Sequence, residues 1–332
     1  MTTWFERLMG FREESPEQVR SQLDVDGVYI TSRVNGKRYR YGTLEVVSLN
    51  ELSRRGRIVS KSDDRSTIQE LVADVSRLHA DSRNSGALFQ VASQFNLLEM
   101  VHPNATPEQG VGIYEFDHTQ GPACAIAAGA GTIYRNYLVP IGEQTGQTSG
   151  VQINCLDEFE RAIRAACPHP WAYRNGYVMP DSRCLKEVCD YLKSCSDSKI
   201  EHLRGKIRIG IQWDTQVTAG EAQHSVTQAY CSALPVAYCS HPRADWGPFA
   251  QIVLDAAYEA TFWVAVLNRE KTDKSTLFLT LLGGGAFGND RRWIMNSLQR
   301  ACQLFENTGL NVRIVSYGRS DAEVSAFVKS IY

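Results

Sequence analysis

The sequence predicts an α/β fold, with a mixed but mostly parallel central sheet between two layers of helices. Apolar runs of strand length alternate with helical patterns along most of the chain, which is typical of parallel strands buried on both faces. The clearest unit spans 277–318, where LFLTLL leads into GGGAFGND, an amphipathic helix and the strand VRIVSYG. The first 80 residues are more polar, so we expect an N-terminal extension over 1–80 and one α/β domain over 81–332.

Composition narrows the class of protein. The chain has 332 residues, of which 43% are hydrophobic and 22% charged, enough to bury a large core. Lys and Arg number 35 against 37 Asp and Glu, so we expect no basic surface for nucleic acid or an anionic membrane. The N-terminal MTTWFERLMGFREESPE carries acidic residues and lacks a continuous apolar core, so we expect neither a signal sequence nor a membrane span there. Nine cysteines without a CxxC pair favour reduced thiols in a cytoplasmic protein over disulfides or a metal site.

The extension contains two predicted elements. GVYITSRVNG and KRYRYGTLEVVSL, within 26–49, are short alternating segments separated by NG and YG, which predicts a β-hairpin or an edge pair. STIQELVADVSRLH, over 66–79, has apolar residues at helical spacing, which predicts a capped amphipathic helix.

The α/β domain begins with ALFQVASQFNLLEMV over 87–101, predicted as a buried strand that ends in polar residues. TQGPACAIAAGAG, over 119–131, predicts a turn of small residues that leads into a helix. Later segments predict a helix at CLDEFERAIRAA, a strand at KIRIGIQW, a helix or extended segment at HSVTQAYCSALPVAY and a long buried helix at GPFAQIVLDAAYEATFWVAVLN.

The segment GGGAFGND places four glycines directly after a strand. Glycine permits positive φ and lets backbone amides come close to an anion. Asn289 and Asp290 stand where a helix N-cap is expected, and the helical pattern continues until Gly309. Because a helix N-terminus attracts anions, the unit predicts a phosphate-binding loop, although it matches neither a P-loop nor GxGxxG. The alternative is that the glycines only permit tight packing of strand against helix.

GGGAFGND, its helix and the strand ending VSYG resemble the second phosphate loop of macrodomains, particularly the poly(ADP-ribose) glycohydrolase branch, in which G-x-G-A-F-G-x-D precedes a helix and a strand ending near F-G-D. VASQFN followed by TQGPACAIAAG resembles the first half of a macrodomain, where a strand ending V-N-A-A-N precedes a glycine loop and the helix A-I-x-x-A-A-G. With WDTQVT and SVTQAYCSALPVAY, the pattern is most similar to the large bacterial-effector macrodomains that remove ADP-ribose from arginine. The resemblance covers about 86–318.

The resemblance implies a three-layer macrodomain sandwich and an ADP-ribosyl hydrolase, in which water attacks the anomeric carbon of the distal ribose on mono-ADP-ribosylated arginine. ADP-ribose and the modified protein would be its partners, with no cofactor and no metal. The Q-E-E triplet of that branch and the V-N-A-A-N strand end are absent, so a different acidic group must act, or none. The ADP-ribose-binding residues that the resemblance implies are Asn96, Thr119, Gln120, Gly121, Gly283, Gly284, Gly285, Ala286, Phe287, Gly288 and Asn289.

Three acids are candidates for catalysis, because a carboxylate stabilises the oxocarbenium-like transition state at the anomeric carbon. Asp214 is the first choice, since it ends the strand KIRIGIQW at what would be the ligand-binding edge of a parallel sheet; its alternative role is a turn or helix cap. Asp117 is the second, directly before the small-residue turn, with an N-cap role as its alternative. Glu221 lies in the polar loop after Asp214, where solvation alone also explains an acid.

Two other functions remain open on the sequence. A module that binds ADP-ribose without cleaving it needs the phosphate loop but no acid at the anomeric carbon. A nucleotide-sugar or dinucleotide hydrolase on the same scaffold needs an acid near the diphosphate, together with a metal.

Overall fold

The computed structural model describes residues 2–59, 64–220 and 222–331. The strands in these ranges are β1 (Leu23–Asp26), β2 (Tyr29–Ser32), β3 (Arg38–Arg40), β4 (Thr43–Ser48), β5 (Thr67–Val72), β6 (Leu88–Ala92), β7 (Pro140–Ile141), β8 (Gln144–Thr145), β9 (Ala172–Arg174), β10 (Tyr177–Met179), β11 (Arg208–Gln216), β12 (Ser225–Cys231), β13 (Thr276–Leu279) and β14 (Asn311–Ser316). The helices are α1 (Trp4–Met9), α2 (Pro16–Ser21), α3 (Leu49–Val59), α4 (Val75–Ala80), α5 (Gln120–Ala127), α6 (Gly129–Ile133), α7 (Asp157–Ile163), α8 (Ser182–Ser194), α9 (Asp197–Arg204), α10 (Gly247–Thr272), α11 (Arg291–Leu304) and α12 (Ala322–Ile331).

Seven strands form the central sheet, in the order β4-β11-β12-β6-β13-β14-β5. The five strands from β12 to β5 pair in parallel, and β11 is antiparallel to both of its neighbours, β4 and β12. Six strands therefore share one direction and end at the same edge of the sheet, whereas β11 ends at the opposite edge. The predicted α/β class, with a mixed and mostly parallel sheet, is confirmed.

Helices cover both faces of this sheet. On one face α10 packs across its middle strands, and on the other α5 packs on β6 and α6 on β11. Side chains of β12 alternate between the two layers: Cys231 contacts the carbonyl oxygen of Ala257 in α10, and Gln228 donates to the carbonyl of Cys124 in α5. Among the described residues, one stretch, Arg243–Thr272, is long and apolar enough to span a membrane, and 78% of its apolar window is buried inside the fold. Core packing accounts for that composition.

Two strands of the sheet come from the segment predicted as an extension. β4 forms one edge and β5 the other, so the sheet begins at Thr43 and the predicted boundary at 80 does not separate two units. The predicted hairpin is present as the antiparallel pair β2 and β3. The helix predicted over 66–79 is wrong in its first half, because β5 pairs in parallel with β14 and α4 starts only at Val75. The apolar residues of this segment have helical spacing, but its parallel ladder with β14 makes it a strand.

The residues before β4 pack against residues 111–116 of the domain, here called the wall segment. Trp4 of α1 donates from its indole nitrogen to the carbonyl of Val111 at 2.9 Å, and Phe5 lies edge-on to Tyr137. Glu13 accepts hydrogen bonds from the amides of Val111 and Gly112, at 3.0 and 2.6 Å. These contacts fix the short 3-10 segment Gly112–Phe116, which leads directly into the candidate site.

Candidate functional site

A cavity of about 610 Å³ opens at the edge where β5, β6, β12, β13 and β14 end. The carboxyl ends of parallel strands are the usual ligand position in open α/β sheets. The volume lies within the range of about 300–1,000 Å³ that is typical of small-molecule sites. The turn after β6, the segment before α5, the first turn of α5 and the glycine-rich loop after β13 form its walls.

Four acidic residues line this cavity, and the side chains of three of them are already engaged. Asp74 and Asp117 each accept a hydrogen bond at 2.8 Å from the backbone amide two residues further on. Glu115 pairs with Arg7 of α1. The fourth is Glu99, and neither of its carboxyl oxygens has a hydrogen-bond partner among the described residues.

The environment of Glu99 favours its protonated form. Its side chain is 0% exposed, and a guanidinium nitrogen of Arg135 lies 3.5 Å from Oε1. Burial raises the pKa of Glu99 from 4.5 to about 8, and the opposing effect of Arg135 is smaller. At neutral pH this carboxyl therefore mostly retains its proton. A protonated acid in a cavity wall can act as a general acid.

The backbone on both sides of Glu99 is fixed by hydrogen bonds. β6 is shorter than predicted, and the chain turns through 93–101. The side-chain amide of Gln94 accepts from the Met100 N–H at 2.7 Å and donates to the Met100 carbonyl at 3.1 Å. The Glu99 N–H donates to the Tyr114 hydroxyl at 3.1 Å. The position of the acid is thus set by the turn itself and by the wall segment that the N-terminal residues brace.

The glycine loop, 283–289, is held in shape by its own backbone. The amides of Gly284, Gly288 and Asn289 donate to carbonyls at the loop, and the Asn289 side chain donates to the Leu234 carbonyl at 2.8 Å. The remaining loop amides have no acceptor in the described part of the chain and belong to cavity-lining residues, namely Gly283, Gly285, Ala286 and Phe287. These four amides are the donors that a phosphate group can use.

The first turn of α5 offers a second set of amides. Thr119 is the N-cap, but its side chain makes no capping hydrogen bond, and Gln120 and Gly121 line the cavity. A Cβ on Gly121 would lie 1.9 Å from the carbonyl oxygen of Ala92, so glycine is needed for this close approach to β6. The uncapped amides and the positive end of the helix dipole favour an anion here. The N-terminus of α11 was expected to bind phosphate. Instead, the Asp290 side chain caps that helix, and its first turn does not line the cavity.

The charges of the lining make these amides important. No Lys or Arg side chain of the described residues lines the cavity. In the same ranges no group of three or more His, Cys, Asp or Glu is placed to hold a metal. An anionic ligand at this site would therefore be held by backbone amides, helix ends and neutral polar side chains.

The cavity brings together most, but not all, of the implied ADP-ribose-binding residues. Those that line it are Thr119, Gln120, Gly121, Gly283, Gly285, Ala286 and Phe287. Those that do not are Asn96, Gly284, Gly288 and Asn289. Asn96 is buried in the turn, where it donates to Gln152 at 3.0 Å and accepts from the Leu98 amide at 3.1 Å, so its side chain is engaged within the turn. Gly284, Gly288 and Asn289 serve the internal structure of the loop.

The three candidate catalytic acids have different outcomes. Asp117 lines the cavity, and Glu221 lies outside the described residues. Asp214 does not line the cavity: β11 is antiparallel to its neighbours, so its end points to the opposite edge, where Asp214 is exposed and pairs with Arg40. The placement of Asp214 at the ligand-binding edge is therefore wrong, because a hydrophobic pattern does not reveal the direction of a strand.

Sequence reasoning missed Glu99 and Arg135, although a signal was present. FNLLEM and GTIYRNYL each hold one charged residue in an otherwise apolar stretch. Acidic and basic side chains are almost never fully buried unless they are paired. Two isolated opposite charges in apolar segments would have indicated a buried pair.

Comparisons with known proteins give limited information. No family model matches the sequence, and no curated protein matches it. The poly(ADP-ribose) glycohydrolase of Thermomonospora curvata is 12% identical, with 95% of this chain and 96% of that chain covered and a TM-score of 0.46. The Deinococcus radiodurans glycohydrolase in complex with ADP-ribose is also 12% identical, over 87% of this chain and 95% of that chain, with a TM-score of 0.46. Similarity at this level assigns no activity, so the function has to be inferred from the residues of the cavity.

Proposed function

We propose that the cavity binds ADP-ribose and that the protein is an ADP-ribosyl hydrolase, in which Glu99 gives a proton to the leaving group. One observation carries this proposal. Glu99 is a fully buried carboxyl without a hydrogen-bond partner among the described residues, and it belongs to the lining of a cavity in which no described Lys or Arg supplies a charged donor. An acid kept neutral at pH 7 is what departure of a leaving group requires.

The shape and polarity of the cavity support a dinucleotide-sized anion. The glycine loop and the first turn of α5 supply amides from two elements, which suits the two phosphates of a diphosphate. Phe287 lines the cavity with Tyr177 and Tyr238, and its ring centroid lies 5.4 and 5.7 Å from theirs. In our proposal this aromatic surface packs against the proximal ribose or the adenine.

The proposed reaction uses one carboxyl twice. The Glu99 proton passes to the leaving nitrogen or oxygen as its bond to the anomeric carbon breaks, which leaves an oxocarbenium-like ribose and a Glu99 carboxylate. That carboxylate then takes a proton from water while the water oxygen bonds to the anomeric carbon. Asp117 lines the same cavity, and in our proposal it accepts a hydrogen bond from a ribose hydroxyl.

The linkage that we propose is mono-ADP-ribosylated arginine, which follows from the sequence resemblance. Glu115 and Asp117 support it, because both line the cavity beside Tyr114, the residue that holds the backbone of Glu99. A guanidinium leaving group is favoured by nearby carboxylates. The modified protein would present its arginine at this wall.

A substrate panel tests the proposal. The purified protein would be incubated with ADP-ribose linked to arginine, glutamate or serine and with poly(ADP-ribose), and free ADP-ribose would be titrated by calorimetry. Release from arginine together with binding of ADP-ribose is expected. Release from another linkage alone would support hydrolase activity but reject arginine as the linkage. Binding without any release would make the protein a reader module. If the protein neither bound ADP-ribose nor released it from any substrate, the proposal would be refuted.

A further inference from the structure

The cation behind Glu99 has no part in the reaction described so far. Arg135 and Glu99 both have side chains that are 0% exposed, and their closest atoms are 3.5 Å apart. Arg135 lies in a π-helical turn, Tyr134–Leu138, a distortion that is frequent at functional sites. Burial of a charge is costly unless the protein compensates it, so a fully buried Arg135 requires an explanation.

Neutral groups hold the guanidinium of Arg135 in place. It donates to the carbonyl of Leu97 at 3.0 Å and to the hydroxyl of Thr132 at 3.1 Å. Its central carbon lies 3.6 Å from the ring centroid of Tyr230, which is a cation–π contact. These contacts do not depend on the charge of Glu99. The guanidinium therefore keeps its place while Glu99 is protonated.

The ring beneath Arg135 is itself fixed by a neutral network. The Tyr230 hydroxyl donates to the side-chain oxygen of Gln228, and Gln228 donates to a ring nitrogen of His79 at 3.1 Å. The other ring nitrogen of His79 donates to the carbonyl of Val75 at 2.8 Å. Burial lowers the pKa of His79 to about 4, so this histidine is neutral at pH 7. Arg135 is the charged end of the network.

The other titratable groups that face Glu99 are neutral. They are Tyr114, Tyr230 and Cys124, which come from the wall segment, β12 and α5. Burial raises the pKa of each of them well above its ordinary value. Among the described residues, Arg135 is the charged group whose attraction lowers the pKa of Glu99, against the larger effect of burial.

We infer that Arg135 is a positioning residue of the reaction, whose fixed charge stabilises the Glu99 carboxylate formed when the proton leaves. This inference rests on the proposed function. Before the transfer, the cost of an ionised acid in the interior outweighs the attraction of Arg135, and Glu99 keeps its proton. After the transfer, the carboxylate lies beside a cation in a medium of low dielectric, where the attraction is strong. The pair then persists until water returns a proton to Glu99.

The test is the pH profile of kcat/KM, whose basic limb reports ionisation of Glu99 in the free enzyme. Arg135→Met removes the charge. The apparent pKa of the basic limb should therefore rise by about one pH unit or more, because a nearby opposite charge lowers a carboxyl pKa by about 1–3 units. We also expect kcat to fall at least tenfold on the plateau, while the Kd of ADP-ribose stays within about threefold, since backbone amides hold the diphosphate. Arg135→Lys keeps the charge and should leave the limb near its wild-type position.

Milder variants protect the test against misfolding. Arg135→Gln is a second neutral replacement, whose amide can keep a contact with Leu97. Thr132→Val leaves the charge but removes one hydrogen bond that orients it, so a smaller upward shift of the limb is expected. Circular dichroism would check that each variant is folded. A basic limb that does not move in any of the folded variants would overturn the inference.

The outcomes separate this inference from the proposed function. If Glu99→Gln retains wild-type turnover, the proposed acid is wrong and the role of Arg135 falls with it. If Glu99→Gln is inactive while the neutral Arg135 variants keep the wild-type limb and kcat, only the role of Arg135 is wrong. A parallel loss of kcat and ADP-ribose affinity in those variants would identify Arg135 as a structural residue and equally reject the inference.

Discussion

Replacement of Glu99 by glutamine separates its chemistry from its shape. Glutamine fills nearly the same volume but cannot release a proton to a leaving group. Since general acid–base catalysis contributes about 10²–10⁴-fold, turnover should fall at least about 100-fold. Affinity for ADP-ribose should stay within about threefold, which is less than 1 kcal/mol, because the diphosphate donors are backbone amides.

The same substitution should stabilise the protein at neutral pH. Folding raises the pKa of Glu99 from 4.5 to about 8. Below pH 4.5 the acid is protonated in both states, and between 4.5 and 8 only the unfolded state ionises, so the folded protein loses stability as pH rises through this window. At about 1.4 kcal/mol per unit, the loss reaches about 3 kcal/mol at pH 7. Glu99→Gln should recover about that amount at pH 7 and little near pH 4.5.

Two assays check this prediction. Single-turnover release of ADP-ribose measures the chemical step, and urea unfolding at pH 5 and pH 7 measures the free energy of unfolding. Glu143→Gln is the matched control, because Glu143 is exposed and does not line the cavity, and its variant should resemble the wild type in both assays. A Glu99→Gln protein that turns over normally, or whose stability gain is the same at both pH values, would refute the reasoning.

Three further substitutions have defined outcomes. Gly285→Glu adds a carboxylate where a Cβ meets nothing within 4 Å, so the fold should persist. ADP-ribose affinity, measured by calorimetry, should drop at least about tenfold because the carboxylate repels the diphosphate. Unchanged affinity would exclude the loop from the anion site. Asp214→Asn keeps a side chain that tolerates φ +54° and should leave turnover within about twofold, whereas a large loss would restore Asp214 as the acid. Gly121→Ala forces a Cβ to 1.9 Å from the Ala92 carbonyl oxygen, so the free energy of unfolding in urea should fall by about 2 kcal/mol or more. A wild-type midpoint of urea unfolding would contradict the packing of α5 on β6.

Local patterns in the sequence were sufficient for much of the fold. Alternation of apolar strands and helices predicted the covered, mostly parallel sheet, and both α10 and α11 lie where their spacing placed them. The glycines after β13 predicted the loop that lines the cavity. These features depend on residues close together in the chain, and for that reason a single sequence reveals them.

Features that depend on distant partners were not accessible in the same way. β5 was mistaken for a helix because its pairing with β14 connects segments more than 200 residues apart, and the direction of β11 is set by β4 and β12. Glu99 becomes an acid candidate only when the turn, Tyr114 and Arg135 surround it in space. Its pKa is a property of burial, which no local motif encodes.

Hydrolysis in H₂¹⁸O tests the central claim most directly, with mass spectrometry of the released ADP-ribose and of the acceptor. If Glu99 assists cleavage at the anomeric carbon, the wild-type protein should release ADP-ribose that carries one ¹⁸O atom, the acceptor should stay unlabelled, and Glu99→Gln should release almost none. Label in the acceptor, cleavage within the diphosphate, or equal release by Glu99→Gln would contradict the account.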